Sequence, residues 1–285
     1  MAIDISQRIL KIHPTLSKSH KKIANAVLQE YEKVAYLTAT ELARKMNVSE
    51  STVVRFAAIL GYEKYSEFRL AVQELVKTRL TPNQRIEITK QRIGKGDMLS
   101  NVMNYDINKI KYTLEHIDRD AFYDSVKAIL DARNIYIIGA RSSEPLARIL
   151  QYNLSLIFDN VKFVNATSAE EVFEQMFSIS PSDTLVAFSF PRYSSKVVKA
   201  VKFAESKGAK TIAITDSVIS PIVQYSTYSL LAQSDMASFM DSLVAPVSII
   251  NSIIVEITQR REKEITQRFD TLEQIWDEYD VYTKK

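Results

Sequence analysis

The chain contains no cysteine, so disulfides and thiolate chemistry are excluded; a reducing compartment suits such a chain. Histidine is almost as scarce. There are three, His13, His20 and His116. With no cysteine and no close histidine pair, no cluster has the spacing of a metal site, and no metal or cofactor is expected. No long hydrophobic run is present. The start, MAIDISQRILKIH, lacks the apolar core of a secretory signal. The longest apolar stretch, Ser242 to Ile257, is broken by Pro246, Ser248, Asn251 and Ser252 and is short for a membrane span. It reads as a buried or subunit-interface helix. Repeats and low-complexity tracts are absent. The expectation is a soluble, cytoplasmic protein without membrane contact.

What is present is ordinary globular material in an uneven arrangement. Hydrophobic residues make up 46% and charged residues 25% of 285 residues, enough for two domains rather than one. The overall charge is +3, but residues 1–80 hold 13 Lys and Arg against 8 Asp and Glu, and the rest is slightly acidic. A basic end on an acidic body suggests that one end meets a polyanion. Residues 1–75 show apolar positions at three- and four-residue spacings, as short helices do. From residue 134, apolar runs alternate with helical segments. The runs are Asn134–Ala140, Val161–Asn165, Asp183–Phe190, Lys210–Asp216 and Tyr228–Ala232; Glu144–Phe158 and Ser195–Lys207 are helical. Strands that are nearly all apolar and separated by helices imply a parallel sheet covered on both faces. The polar stretch Thr81–Asp97, with Pro82, Asn83, Gly94 and Gly96, reads as the hinge. One or two helices are expected over 98–131, and one long helix after Met240 with a charged, exposed end at Gln259–Gln267.

The most specific local pattern is Ala39–Leu60. Leu42 and Met46 form an apolar pair on one helix, and the small Ala43 lets a second helix approach. Asn47 tolerates a left-handed turn, Val48 plugs it, and Ser49 caps the next helix. Val53, Phe56 and Leu60 give that helix its inward face. Ser51, Thr52 and Arg55 then point outward from its N-terminal half, the part that helix-turn-helix proteins place in the major groove. Ser49, Ser51 and Thr52 offer hydroxyls to phosphates or base edges. Arg55 can grip guanine or phosphate, and Arg44 and Lys45 head the candidates for backbone phosphates, with Lys18, Lys21, Lys22 and Lys64. The competing reading is a plain helical hairpin with a solvated polar face. The block TATELARKMNVSESTVVRFAAILGYEKYSEFR, above all VSESTVVRF followed by LGY and SEF, resembles the N-terminal domain of the RpiR family of sugar-responsive regulators. That resemblance implies a helical DNA-binding domain reaching to about residue 77.

In open parallel sheets, ligands sit beyond the carboxyl ends of the strands. The first run is followed by Gly139-Ala140-Arg141-Ser142-Ser143, the third by Ser189-Phe190-Pro191-Arg192-Tyr193-Ser194-Ser195-Lys196, and the fourth by Thr215-Asp216-Ser217. Hydroxyls crowd strand ends, and one set opens a helix, whose N-terminus favours an anion such as phosphate. Each serine also has a bland reading as a cap or turn residue. These loops resemble those of the SIS, or sugar isomerase, domain over roughly residues 120–256. The resemblance implies phosphosugar contact by Ser142 and Ser143 and by a Ser-x-Ser-Gly-x-Thr-like loop, here Ser189 to Ser194. The sequence departs from that pattern: Pro191 replaces the second serine, Arg192 the glycine and Ser194 the threonine, and Arg141 stands where a small residue is common. An arginine–hydroxyl grip involving Arg141, Arg192 and Tyr193 is expected to substitute for a pure backbone cradle.

Isomerisation would need a base and usually an acid. None of the three histidines lies in the α/β part, and Glu144, Glu170 and Glu171 read as helix-start charges. Binding without turnover is therefore expected. The alternatives are a phosphosugar isomerase with an accessory helical domain, or a sugar-phosphate-binding protein that makes no DNA contact. The expected protein is of α/β class. An all-α helix-turn-helix domain spans 1–77, a linker and connecting helix 78–119, and a doubly wound parallel-sheet SIS domain with a C-terminal helix 120–285, in the flavodoxin-like order 2-1-3-4-5. Its expected partners are double-stranded operator DNA, a phosphorylated sugar effector and further copies of itself, as a homodimer or homotetramer, with the helix from Met240 to Ile257 as a candidate subunit contact.

Overall fold

The protein is seen here as a computed structural model that describes residues 5–79, 83, 85–86, 89, 96–165, 168–235 and 238–282. Of the expected hinge, Pro82 and Gly94 lie outside the described residues. The chain forms two compact units, Met1–Glu87 and Ile88–Lys285.

The first unit contains six helices among its described residues: α1 (Ile5–Ile12), α2 (Lys18–Gln29), α3 (Tyr31–Val34), α4 (Ala39–Met46), α5 (Glu50–Ile59) and α6 (Tyr65–Arg79). Thr38 and Glu41 start α4 with a reciprocal capping box, in which the Thr38 amide donates to Glu41 Oε2 at 2.7 Å and the Glu41 amide donates to Thr38 Oγ1 at 3.2 Å. Asn47 ends α4 at φ 51°, the left-handed conformation expected of it. Ser49 caps α5 by accepting from the Thr52 amide at 3.3 Å. Leu42, Ala43, Val53, Phe56 and Leu60 are buried, so the inward faces read from spacing are the inward faces of the fold.

The second unit begins with two helices, α7 (Met98–His116) and α8 (Arg119–Leu130). An α/β series follows: β1 (Ile135–Gly139), α9 (Glu144–Ile157), β2 (Val161–Val164), α10 (Ala169–Gln175), β3 (Thr184–Phe188), α11 (Ser195–Ser206), β4 (Lys210–Thr215) and β5 (Tyr228–Leu231). All neighbouring strands are parallel, in the order β2-β1-β3-β4-β5. Side chains alternate across the pleat. Ile135, Ile137, Val186 and Phe188 enter a core with α8, α9 and α12 (Val244–Arg260), while Tyr136, Ile138, Leu185 and Ala187 enter another with α10 and α11. Two buried faces explain why the strands read as continuous apolar runs.

The single helix expected after Met240 is two, α12 and α13 (Glu262–Glu278), broken at Arg261. No proline or glycine causes the break. Arg261 Nη2 donates to the Leu130 carbonyl at 3.2 Å, and Arg268 donates to the Leu156 carbonyl at 2.7 Å and to Asp159 at 2.6 Å. These contacts fold α13 back, so that Ile265, expected in an exposed end, is buried in the core. The α12 helix spends most of its apolar face within the chain: Ala245, Pro246, Ile249, Ile250, Ile253 and Ile257 are buried.

The α7 helix is docked onto the α/β body. Ser242 Oγ donates to Asp106 at 2.7 Å, the Gln233 amide donates to Thr113 Oγ1 at 2.9 Å, and Lys109 Nζ donates to the Asp235 carbonyl at 3.2 Å. Among the described residues, no helix is long and apolar enough to cross a membrane.

Candidate functional site

In the first unit, the turn between α4 and α5 presents a compact polar face. Ser49 Oγ lies 2.9 Å from Ser51 Oγ and 2.8 Å from Thr52 Oγ1, so three hydroxyls form one hydrogen-bonded group at the start of α5. Ser51 and Arg55 are exposed and Thr52 is half-buried. Arg55 lies one position before the fully buried Phe56, so the helix faces inward and outward at adjacent residues. Glu50 accepts from Thr40 Oγ1 at 2.8 Å, which ties the start of α5 to α4. Arg44 is exposed on the same α4. Lys45, also nominated for phosphate contact, forms an ion pair with Glu30 at 3.1 Å, and this pairing holds the Glu30 carboxyl below its ordinary range.

In the second unit, the strand order reverses between β1 and β3, and a cavity of about 570 Å³ opens beyond their carboxyl ends. Sugar-sized ligands occupy pockets of this scale. Its lining comes from the segment after β1 (Ala140, Arg141 and Glu144), the residue after β2 (Asn165) and the segment that opens α11 (Arg192 to Lys196).

The segment after β1 turns sharply because Gly139 allows it. A Cβ there would lie 2.5 Å from the Ser143 carbonyl oxygen, which folds back over the strand end. Arg141 then adopts φ 57°. Arg192 adopts φ 64° in the other loop. The left-handed region is unfavourable for residues with a Cβ. Arg192, which stands where the resembled pattern has glycine, adopts this left-handed backbone.

Ser194 is the N-cap residue of α11, yet its side chain makes no cap hydrogen bond, so the amides of the first turn are left facing the cavity mouth without that partner. Tyr193 Oη donates to Asp216 at 3.0 Å and Thr215 Oγ1 donates to the Ser189 carbonyl at 2.5 Å, which pins the loops after β3 and β4 together.

The nominated residues divide. Arg141, Arg192, Tyr193 and Ser194 share the cavity, but Ser142, Ser143 and Ser189 are not in its lining. Ser189 is buried, and its hydroxyl has no hydrogen-bond partner among the described residues. Ser143 is also buried, and Ser142 is exposed. Five further residues complete the lining: Ala140, Glu144, Asn165, Ser195 and Lys196. Asn165 directly follows a strand, so the strand-end rule applied to β2 would have found it. Glu144 does open a helix, as read, but its side chain also reaches the cavity, where Arg148 pairs with it at 3.3 Å.

The helix-turn-helix domain of the rpiR family matches residues 3–78, and the SIS domain matches residues 128–256. The chain thus pairs a helix-turn-helix domain of the rpiR family with a SIS domain. An HTH-type transcriptional regulator of Haemophilus influenzae is 26% identical over 267 residues, 91% of each chain. Two of the solved structures that share the fold of this chain are informative. The sugar isomerase domain of the RpiR transcription factor from Sphaerobacter thermophilus is 22% identical, with a TM-score of 0.60 over 63% of this chain and 99% of that one. The Vibrio vulnificus NanR protein complexed with ManNAc-6P is 21% identical, with a TM-score of 0.62 over 98% and 100%.

Proposed function

We infer that this chain is a DNA-binding transcriptional regulator of carbohydrate metabolism genes whose operator affinity is controlled by a phosphorylated sugar bound in the SIS domain. The observation that carries the effector half is the cavity at the strand-order reversal, where the open first turn of α11 faces two guanidiniums. Backbone amides at a helix start, flanking hydroxyls and arginine are the groups that bind phosphate. The NanR protein, solved with ManNAc-6P, supports a phosphosugar as the class of effector. The SIS unit acts as a regulatory ligand-binding domain and not as an isomerase: the relatives are transcriptional regulators, and a sensor gains nothing from consuming its signal.

Thermal melting of the full chain with a panel of hexose and hexosamine 6-phosphates tests this, because a ligand that binds the folded state raises the melting temperature. Joint replacement of Ser194 and Ser195 by alanine is expected to weaken the responding sugar phosphate about 100-fold or more, since each hydroxyl hydrogen bond to a charged group is worth about 1.5–3 kcal/mol and two are lost. Operator affinity without effector should stay at its wild-type value. An unaltered melting response would remove this loop from the site.

On the DNA side, α5 serves as the recognition helix, with Ser49, Ser51, Thr52 and Arg55 toward the groove and Arg44 toward the phosphates. Lys45 joins them only by leaving Glu30. Arg55→Ala is expected to lower operator affinity about 10- to 100-fold, the value of one bidentate base contact. Sugar-phosphate binding should be unaffected. A mobility shift identical to wild type would place the recognition face elsewhere.

The oligomer proposed is a homodimer or a dimer of dimers in the cytoplasm, reading two half-sites by symmetry. Because α12 is largely spent on the core, the apolar stripe Leu99, Met103, Ile107, Ile110 and Leu114, exposed along α7, is the surface offered for a second copy. It continues into an apolar groove of about 220 Å³ with Phe122, Tyr123 and Ile249. Effector binding would draw the loops at 140–143 and 189–195 together and shift this subunit packing, with useful coupling of about 1–3 kcal/mol.

A further inference from the structure

We propose that the effector carries a second acidic group besides its phosphate, a carboxylate or another phosphate on the same sugar scaffold. This rests on reading the cavity as the sugar-phosphate site. Two parts of the lining are separable. One is the start of α11, where the first-turn amides, the left-handed backbone at Arg192 and the hydroxyls of Ser194 and Ser195 make a cradle for one phosphate. The backbone part of that grip needs no arginine side chain, and glycine at 192 would keep it. The other part is the pair of guanidiniums themselves, Arg141 from the loop after β1 and Arg192 from the loop after β3.

The pair is unusual in three respects. Both residues hold left-handed backbone at positions where glycine would be free of steric cost. Of the four non-glycine residues with positive φ among the described residues, these two line the same cavity. Neither side chain makes a hydrogen bond or ion pair with a described residue, unlike Arg133, Arg148 and Arg268 of the same unit, which pair with carboxylates. Among the described residues the lining holds one carboxylate, Glu144, which Arg148 pairs at 3.3 Å. A neutral sugar monophosphate seated on α11 spends its charge on the cradle. Lys196 lies beside that cradle, and the two exposed guanidiniums add positive charge beyond what one phosphate neutralises. A second anionic group supplies the partner they lack, in the bidentate form that guanidinium favours.

The test is calorimetric titration of the full chain at fixed ionic strength with glucose 6-phosphate, 6-phosphogluconate, fructose 1,6-bisphosphate and inorganic phosphate. At least one diacidic sugar is expected to bind about tenfold or more tighter than glucose 6-phosphate. The phosphogluconate and bisphosphate arms tell a carboxylate from a second phosphate. Arg192→Gly, which adopts the same backbone freely, and Arg141→Ser are each expected to erase that preference, lowering diacid affinity about tenfold or more beyond any loss for glucose 6-phosphate. If glucose 6-phosphate binds as tightly as both diacids, the proposal is overturned and the sugar-phosphate site stands. A preference that survives both substitutions overturns it as well. If none of the sugar phosphates binds, the reading of the cavity falls and takes the proposal with it.

Discussion

Asp183→Ala is expected to cost the α/β unit about 3 kcal/mol and to lower its melting temperature by several degrees, without changing sugar-phosphate affinity of the folded protein. Asp183 immediately precedes β3, at the end of the sheet opposite the cavity. Its carboxylate is fully buried and accepts from Arg133 Nε and Nη2 at 3.0 and 2.7 Å, from Asn134 Nδ2 at 2.8 Å, and from the amide and hydroxyl of Ser180 at 2.8 and 2.9 Å. Burial alone would push its pKa up. The hydrogen bonds from Arg133, Asn134 and Ser180 outweigh burial and hold it down at about 2, against an ordinary 3.8. A depressed carboxylate stabilises the fold above its unfolded pKa and loses that contribution as protons return. The full effect, about 2 kcal/mol, is therefore present above about pH 4 and disappears as pH falls through 2. Melting of wild type and variant between pH 7 and pH 2 checks both statements: the gap should narrow in acid. A gap that is constant with pH would mean that Asp183 acts by packing and not by charge.

Phe56→Ala is expected to destabilise the helical unit by about 3–5 kcal/mol and to abolish operator binding. The ring is fully buried on the inner face of α5, 5.8 Å from Phe68 in an edge-to-face pair and 5.9 Å from His20 on α2. It joins three helices whose relative setting places Arg55 outward. A unit of this size has about 4–12 kcal/mol in total, so losing the ring removes much of it. Hydrogen-exchange protection of the α2, α5 and α6 amides reports the loss locally, and a mobility-shift assay reports the functional consequence. Phe56→Leu should retain most of the protection. Undiminished protection in the alanine variant would show that the ring is not the keystone of this packing.

The parts of this protein that can be read from residue order are those set within a few positions of chain. The left-handed Asn47, the Ser49 cap and the inward Val53, Phe56 and Leu60 follow from turn chemistry and a 3.6-residue period, and the fold has each of them. The five strands are recognisable because a sheet buried on both faces needs continuous apolar runs, and the order β2-β1-β3-β4-β5 agrees with the flavodoxin-like expectation. Serines at strand ends were harder to sort. Ser189 and Ser194 look alike in the sequence, yet one is buried and the other lines the cavity. Which way a strand-end side chain turns depends on how neighbouring loops are tied, here by Tyr193 to Asp216 and Thr215 to the Ser189 carbonyl.

Residue order alone thus specified two modules, their element types and the strand ends where a ligand belongs, because hydrophobic periodicity and capping act locally. Long-range packing settled the remainder: the fold-back of α13 at Arg261, the docking of α7 through partners more than 100 residues away, and the meeting of Arg141, Glu144, Asn165 and Arg192 around one cavity. Those contacts join segments that only the closed sheet brings together, and no local pattern encodes the distance between them.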